Sequence, residues 1–156
     1  MSLKFIPLAT GEVRALQAGG CDANGHVPER HISPGGGMPC RHCLADIAEG
    51  DAYLILAHRP FPQAQPYAEL GPIFLHADAC EPYTANGTLP PRYRGVPQIL
   101  IKGYRTDDRI YYGTGQIIAP ADLEEIAEDL FSDPEVAYIH ARSATNNCYQ
   151  FRIERG

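Results

Sequence analysis

The sequence predicts an α+β fold: a mainly antiparallel β-sheet with one clear helix in its C-terminal half, a short N-terminal helix and long irregular segments rich in Gly and Pro. Three observations predict it. Leu123, Ile126, Ala127, Leu130 and Phe131 recur at i, i+3, i+4, i+7 and i+8, which is one face of a helix. Ala137, Ile139 and Ala141, then Tyr149, Phe151 and Ile153, alternate with polar residues as the strands of a half-buried hairpin do. The 15 Gly and 14 Pro among 156 residues demand many turns and short elements. The length suits one domain spanning 1–156.

Taken in order, LKFIPL reads as an opening strand. TGEVRALQAGG reads as a short helix, with Thr10 as N-cap and Gly19 or Gly20 as its stop. Residues 21–38 are loop, with a short extended piece at HVPERHI. After PCRHC, LADIAEGD is a turn, and AYLILAHRPF is an apolar run bounded by turn signals, hence a buried strand. GPIFLHA is the next strand, with Ile73 and Leu75 on one face and Phe74 and His76 on the other. Residues 79–96 return to loop. Within them Asn86-Gly87-Thr88 matches a glycosylation acceptor, but without a secretion signal it reads as a turn.

VPQILIKGYR and RIYYG read as a hairpin around TDD, and Gly113 and Gly115 mark a bulge or kink before QIIA. Pro120 suits the first position of the clear helix, Asp122 and Glu124 suit its positive end, and Asp133-Pro134 closes it. The last hairpin invites a register. Pairing Arg142 with Cys148 across a five-residue loop sets His140 opposite Gln150 and Tyr138 opposite Arg152. One face is then apolar. The other carries Tyr138, His140, Arg142, Cys148, Gln150 and Arg152, either as a solvated outer face or as the wall of a pocket.

Charge narrows the classes of function. Acidic residues outnumber basic ones 19 to 13, a formal net charge of −6, which argues against a nucleic-acid surface while leaving room for a local anion pocket. No apolar run approaches the roughly 20 residues of a membrane span. The N-terminal segment, broken by Pro7 and Gly11, lacks the long apolar region of a signal peptide, so a cytoplasmic location is expected. Five cysteines, an odd number, in a reducing compartment favour thiols or thiolate ligands over a disulfide framework.

Three chemistries compete for those thiols. Cys40-x-x-Cys43 has the spacing that presents two thiolates to one tetrahedral ion, and His76-x-x-x-Cys80 is the other close His/Cys pair. The 32 residues between the pairs allow one strand out and one strand back, although a lone C-x-x-C signals zinc less strongly than two do. His42, between the thiols, is expected to point away from a shared ion. A redox pair is disfavoured, because LADIAEGD is too short for the helix that lowers the pKa of a thioredoxin-like thiol. A nucleophile is the third option: Cys40, Cys80 or Cys148 activated by His76 or His140. Each cysteine taken singly also fits a plain core position.

The blocks PCRHCLADIAEGDAYLILAHRPF, PYAELGPIFLHADACEPY and VAYIHARSATNNCYQFRIER resemble a bacterial family known as domain of unknown function 1203, over nearly the whole chain. The resemblance implies no activity. It does imply that Cys40, Arg41, His76, Cys80, His140, Arg142 and Cys148 belong to family motifs, with Cys43 at a less characteristic position. Weight therefore moves from the C-x-x-C toward a site built from Cys40, His76 and the hairpin face.

The favoured reading is a Cys/His/Arg-lined site that binds or acts on a small acidic molecule. Arg41, Arg142 and Cys80 would bind, and Cys40, His76, His140 and Cys148 are the catalytic candidates. The alternative is a zinc-stabilised module for protein interaction, its metal on Cys40, Cys43, His76 and Cys80. A plain interaction protein, its cysteines only packing, is the third.

Overall fold

The chain pairs its strands into two antiparallel sheets. The computed structural model describes residues 2–84 and 87–156, and Asn86 of the glycosylation-like tripeptide lies outside them. Five strands form the larger sheet in the order β1 (Leu3–Ile6), β8 (Tyr149–Arg155), β7 (Tyr138–Ser143), β5 (Ile99–Tyr104) and β6 (Gln116–Ile118). Three form the smaller: β2 (Glu29–Ile32), β3 (Ala52–His58) and β4 (Gly71–His76). Helix α1 (Thr10–Gln17) follows β1, and α2 (Leu123–Phe131) precedes β7. This is the α+β architecture that the sequence predicts. No helix among the described residues is long and apolar enough to cross a membrane.

Each helix buries the face its periodicity marks. Leu123, Ala127 and Phe131 of α2 join Phe5, Ile101, Ile139 and Phe151 in one core against the larger sheet. Val13 and Leu16 of α1 join Leu56, Ile73 and Leu75 in a second core against the smaller one. At roughly 1.5–3 kcal/mol for each fully buried aliphatic or aromatic side chain, these cores supply the main drive to fold. Pro120 opens a 3-10 turn, Pro120–Asp122, that leads into α2. Gly19, in the left-handed region at φ +98°, follows the end of α1 as its stop.

Three expectations are corrected. Thr10 does not cap α1; Ala9 stands at the N-cap without a side-chain bond, and Thr10 Oγ1 instead meets His42. RIYYG is not a strand. Only Tyr104 and Ile110 bridge there, because β5 is taken by β7 on one side and β6 on the other. The final hairpin is offset by two residues from the predicted register: His140 pairs with Arg152, and Ile139 with Ile153. An offset of two preserves the faces. Beyond Ala141, however, the ladder shifts, and Arg142 pairs with Tyr149. That irregularity turns Tyr149 toward His140, at 4.9 Å between ring centroids, and Gln150 toward Tyr93, whose hydroxyl donates to Gln150 Oε1 at 2.9 Å.

The polar face of β7 is not solvated. Tyr138, His140 and Arg142 are all at most 4% exposed. Phe61, from the segment after β3, packs on Tyr104 and His140 and closes that face.

Candidate metal centre

Residues 39–45 fold into a tight knuckle. Cys40 N–H donates to Ala45 O and Leu44 N–H to Cys40 O, with Leu44 at φ +56° to close the turn. Cys40 also bridges Phe74 of β4, and Arg41 N–H donates to Phe74 O at 3.1 Å, so the knuckle lies along the strand that ends at His76. The segment from His76 to Cys80 is tied from the other side by α1. Gln17 Nε2 donates to the carbonyls of His76 and Asp78, both at 2.9 Å, and Arg14 Nη2 to that of Cys80 at 2.8 Å.

This geometry brings both predicted pairs together. The ligand atoms of Cys40, Cys43, His76 and Cys80 all lie within 4.8 Å of one another. The 32-residue interval is the β3–β4 hairpin, one strand out and one back. A tetrahedral ion with metal–sulfur bonds of about 2.3 Å sets its sulfurs about 3.8 Å apart, and a sulfur and an imidazole nitrogen about 3.5 Å apart. Cys40 and Cys80 Sγ are 3.9 Å apart, and Cys43 Sγ is 3.6 Å from His76 Nδ1. Two edges of the tetrahedron are thus close to ligand spacing.

Electrostatics point the same way. Hydrogen bonds from Cys43 and then Cys80 hold Cys40 far below the ordinary thiol range. Cys80 is driven far above it by its contacts with Cys40 and Cys43. His76, bonded to Cys40 and then Cys43, is raised to about 10. Cys40 and Cys80 are thus shifted in opposite directions, and a divalent cation is the kind of group that lets neighbouring sulfurs be thiolates together.

His42 is not one of the four, but it does not turn to solvent. It is fully buried, with Nδ1 3.2 Å from Cys80 Sγ and Nε2 2.8 Å from Thr10 Oγ1. It links the cluster to the first turn of α1 and orients the Cys80 sulfur.

The remaining predicted residues fall elsewhere. Arg41, 2% exposed, reaches the opposite way, its Nε donating to Tyr149 O at 2.7 Å and Nη1 to Pro39 O at 2.6 Å. With Arg142, Cys148 and Gln150 it lines a cavity of about 370 Å³, to which Arg92 adds a third guanidinium. Arg142 donates from Nη1 to Asn147 O at 3.0 Å and lies 3.4 Å from Glu69, while its Nε and Nη2 are buried without partners. His140 belongs to neither group. It sits among Phe61, Tyr104, Tyr138 and Tyr149 beside a larger cavity of about 650 Å³, and burial pushes its pKa well below the usual range. His58, on the same cavity, is lowered to about 4 by burial and then by Arg41. Nothing in the spacing of motifs singles out Arg92, which lies in a 3-10 turn, Pro91–Gly95, that sequence reading assigns to loop. His58, the last residue of β3, reads in the sequence as a strand-end histidine before Arg59-Pro60, either near a site or merely at an edge.

Compared with known proteins, residues 37–155 match the model of a family described as "Protein of unknown function (DUF1203)". No curated protein and no solved structure matches the chain.

Proposed function

We propose that this chain, which belongs to the DUF1203 family, is a zinc-stabilised module in which Cys40, Cys43, His76 and Cys80 hold one zinc ion. The observation that carries the reading is the convergence of four ligand atoms within 4.8 Å, drawn from two segments more than 30 residues apart. Three thiolates and one imidazole suit zinc better than magnesium or calcium, which take oxygen ligands. Four protein ligands fill a tetrahedral site and leave no position for a reacting water, so the ion's role is structural. It fastens the 39–45 knuckle to the end of β4 beneath α1.

Elemental analysis of untagged protein tests this. About one zinc per chain is expected, with Cys40, Cys43 and Cys80 shielded from thiol reagents until the metal is chelated. Chelation is expected to lower the melting temperature. Metal-free protein whose three thiols titrate in the native state at an unchanged melting temperature would overturn the reading.

One observation favours a second reading, the binding of a small acidic molecule. Arg41 and Arg142, both nearly inaccessible to water, line one cavity together with Arg92, and no Asp or Glu lines it. The acidic balance of the chain makes that local excess of guanidinium notable. Binding of simple carboxylates, measured by calorimetry at fixed ionic strength, tests it.

A further inference from the structure

Resting on that second reading, we infer that the arginine-lined cavity takes an amphiphilic carboxylate: an anionic head held by Arg41, Arg142 and Arg92, borne on an apolar body of about the size of a ring. The head is recognised by donors that the protein leaves unspent. Arg41 commits Nε and Nη1 to carbonyls, which fixes its plane and leaves Nη2 for a ligand. Arg142 is ion-paired through Nη1 with Glu69 at 3.4 Å and donates from Nη1 to Asn147 O, while its buried Nε and Nη2 have no hydrogen-bond partner. Such a group is costly unless something completes it. Arg92 is held at the rim by Asp46, Nε to Oδ1 at 2.9 Å, with its guanidinium 5.1 Å from the centre of the Tyr93 ring. A carboxylate matches the planar fork of a guanidinium.

The body follows from the rest of the wall. Phe74, Val96, Pro97 and Ile99 present apolar surface to the same cavity, and its volume of about 370 Å³ far exceeds what a bare anion fills. Burying a ring there is worth about tenfold or more in affinity over the head alone. Gln150 and Cys148 line the same cavity.

Titrating the full-length protein as purified with acetate, benzoate and benzamide, by calorimetry or ligand-observed NMR at fixed ionic strength, separates the parts. Benzoate is expected to bind about tenfold tighter than either acetate or benzamide. Arg142→Met and Arg92→Gln should each weaken it severalfold. Arg92 lies at the rim, so Arg92→Gln keeps the fold where Arg142→Met fails to, and the melting temperature and metal content report which has happened. Equal affinity for acetate and benzoate would overturn the apolar body and leave the acidic-ligand reading standing. Equal affinity for benzamide and benzoate, benzoate binding unchanged by Arg92→Gln, or no binding of any probe at millimolar concentration would overturn the reading on which the inference rests.

Discussion

Four consecutive side chains, at residues 40–43, fasten three parts of the molecule. Cys40 and Cys43 enter the ligand cluster, Arg41 crosses to the backbone of β8, and His42 reaches α1. The spacing of Cys40, Cys43, His76 and Cys80 was legible because metal ligation imposes intervals on a chain. The part of His42 was not, since the sequence carries no record of where a side chain between two ligands turns. Its hydrogen bond with Thr10 gives a direct test. Thr10→Val keeps the shape, removes the bond, and is expected to cost about 1 kcal/mol in a urea titration. Metal content, measured alongside, should match the wild type, because Thr10 is not among the four clustered residues. Loss of metal in that variant would mean that His42 does more than orient Cys80.

At the scale of elements, the irregularity between β7 and β8 decides which residues meet. The alternation of apolar residues fixed the faces of Ile139, Ala141, Phe151 and Ile153, and the core confirms them. It could not foresee the shift after Ala141, since the extra residue, Gln150, lies within β8 and leaves the apolar spacing of Tyr149, Phe151 and Ile153 intact in the sequence. Tyr149 and Gln150 therefore exchange the faces expected of them. Nor did the alternation reveal that Phe61 would cover the polar side of β7, because burial from a distant segment is a tertiary event. Gln150 now depends on Tyr93 for a buried hydrogen bond at 2.9 Å. Tyr93→Phe leaves that acceptor without its donor and is expected to cost roughly 1–3 kcal/mol, read as a lower urea midpoint with an unchanged slope. A variant as stable as wild type would show that Gln150 finds another donor.

Across the whole molecule, burial holds the pKa values of His58 and His140, beside the cavity of about 650 Å³, below their ordinary range. His58 is lowered to about 4 in the folded chain, against an ordinary value near 6.5. Between those values the unfolded chain binds a proton that the folded chain excludes, so stability falls as pH drops from about 6.5 to about 4 and His58 adds nothing further below that. The contribution lost is roughly 3 kcal/mol at most. His58→Leu should flatten this part of the profile relative to wild type, measured as urea stability at pH 7, 6 and 5. Parallel profiles for the two proteins would place the acid sensitivity elsewhere. The overall architecture was legible from composition and periodicity. The partition of the predicted Cys/His/Arg residues among a cluster and two cavities was not, because it follows from how two sheets and two helices stack.

The strand order also sets a timetable for synthesis. In its sheet β1 has β8 as its neighbour, and β8 begins at Tyr149, so β1 leaves the ribosome long before the strand it pairs with. The smaller sheet and all four ligands of the cluster are in hand by Cys80. A growing chain thus holds the whole Cys/His cluster while β1 still waits, unpaired, for β8.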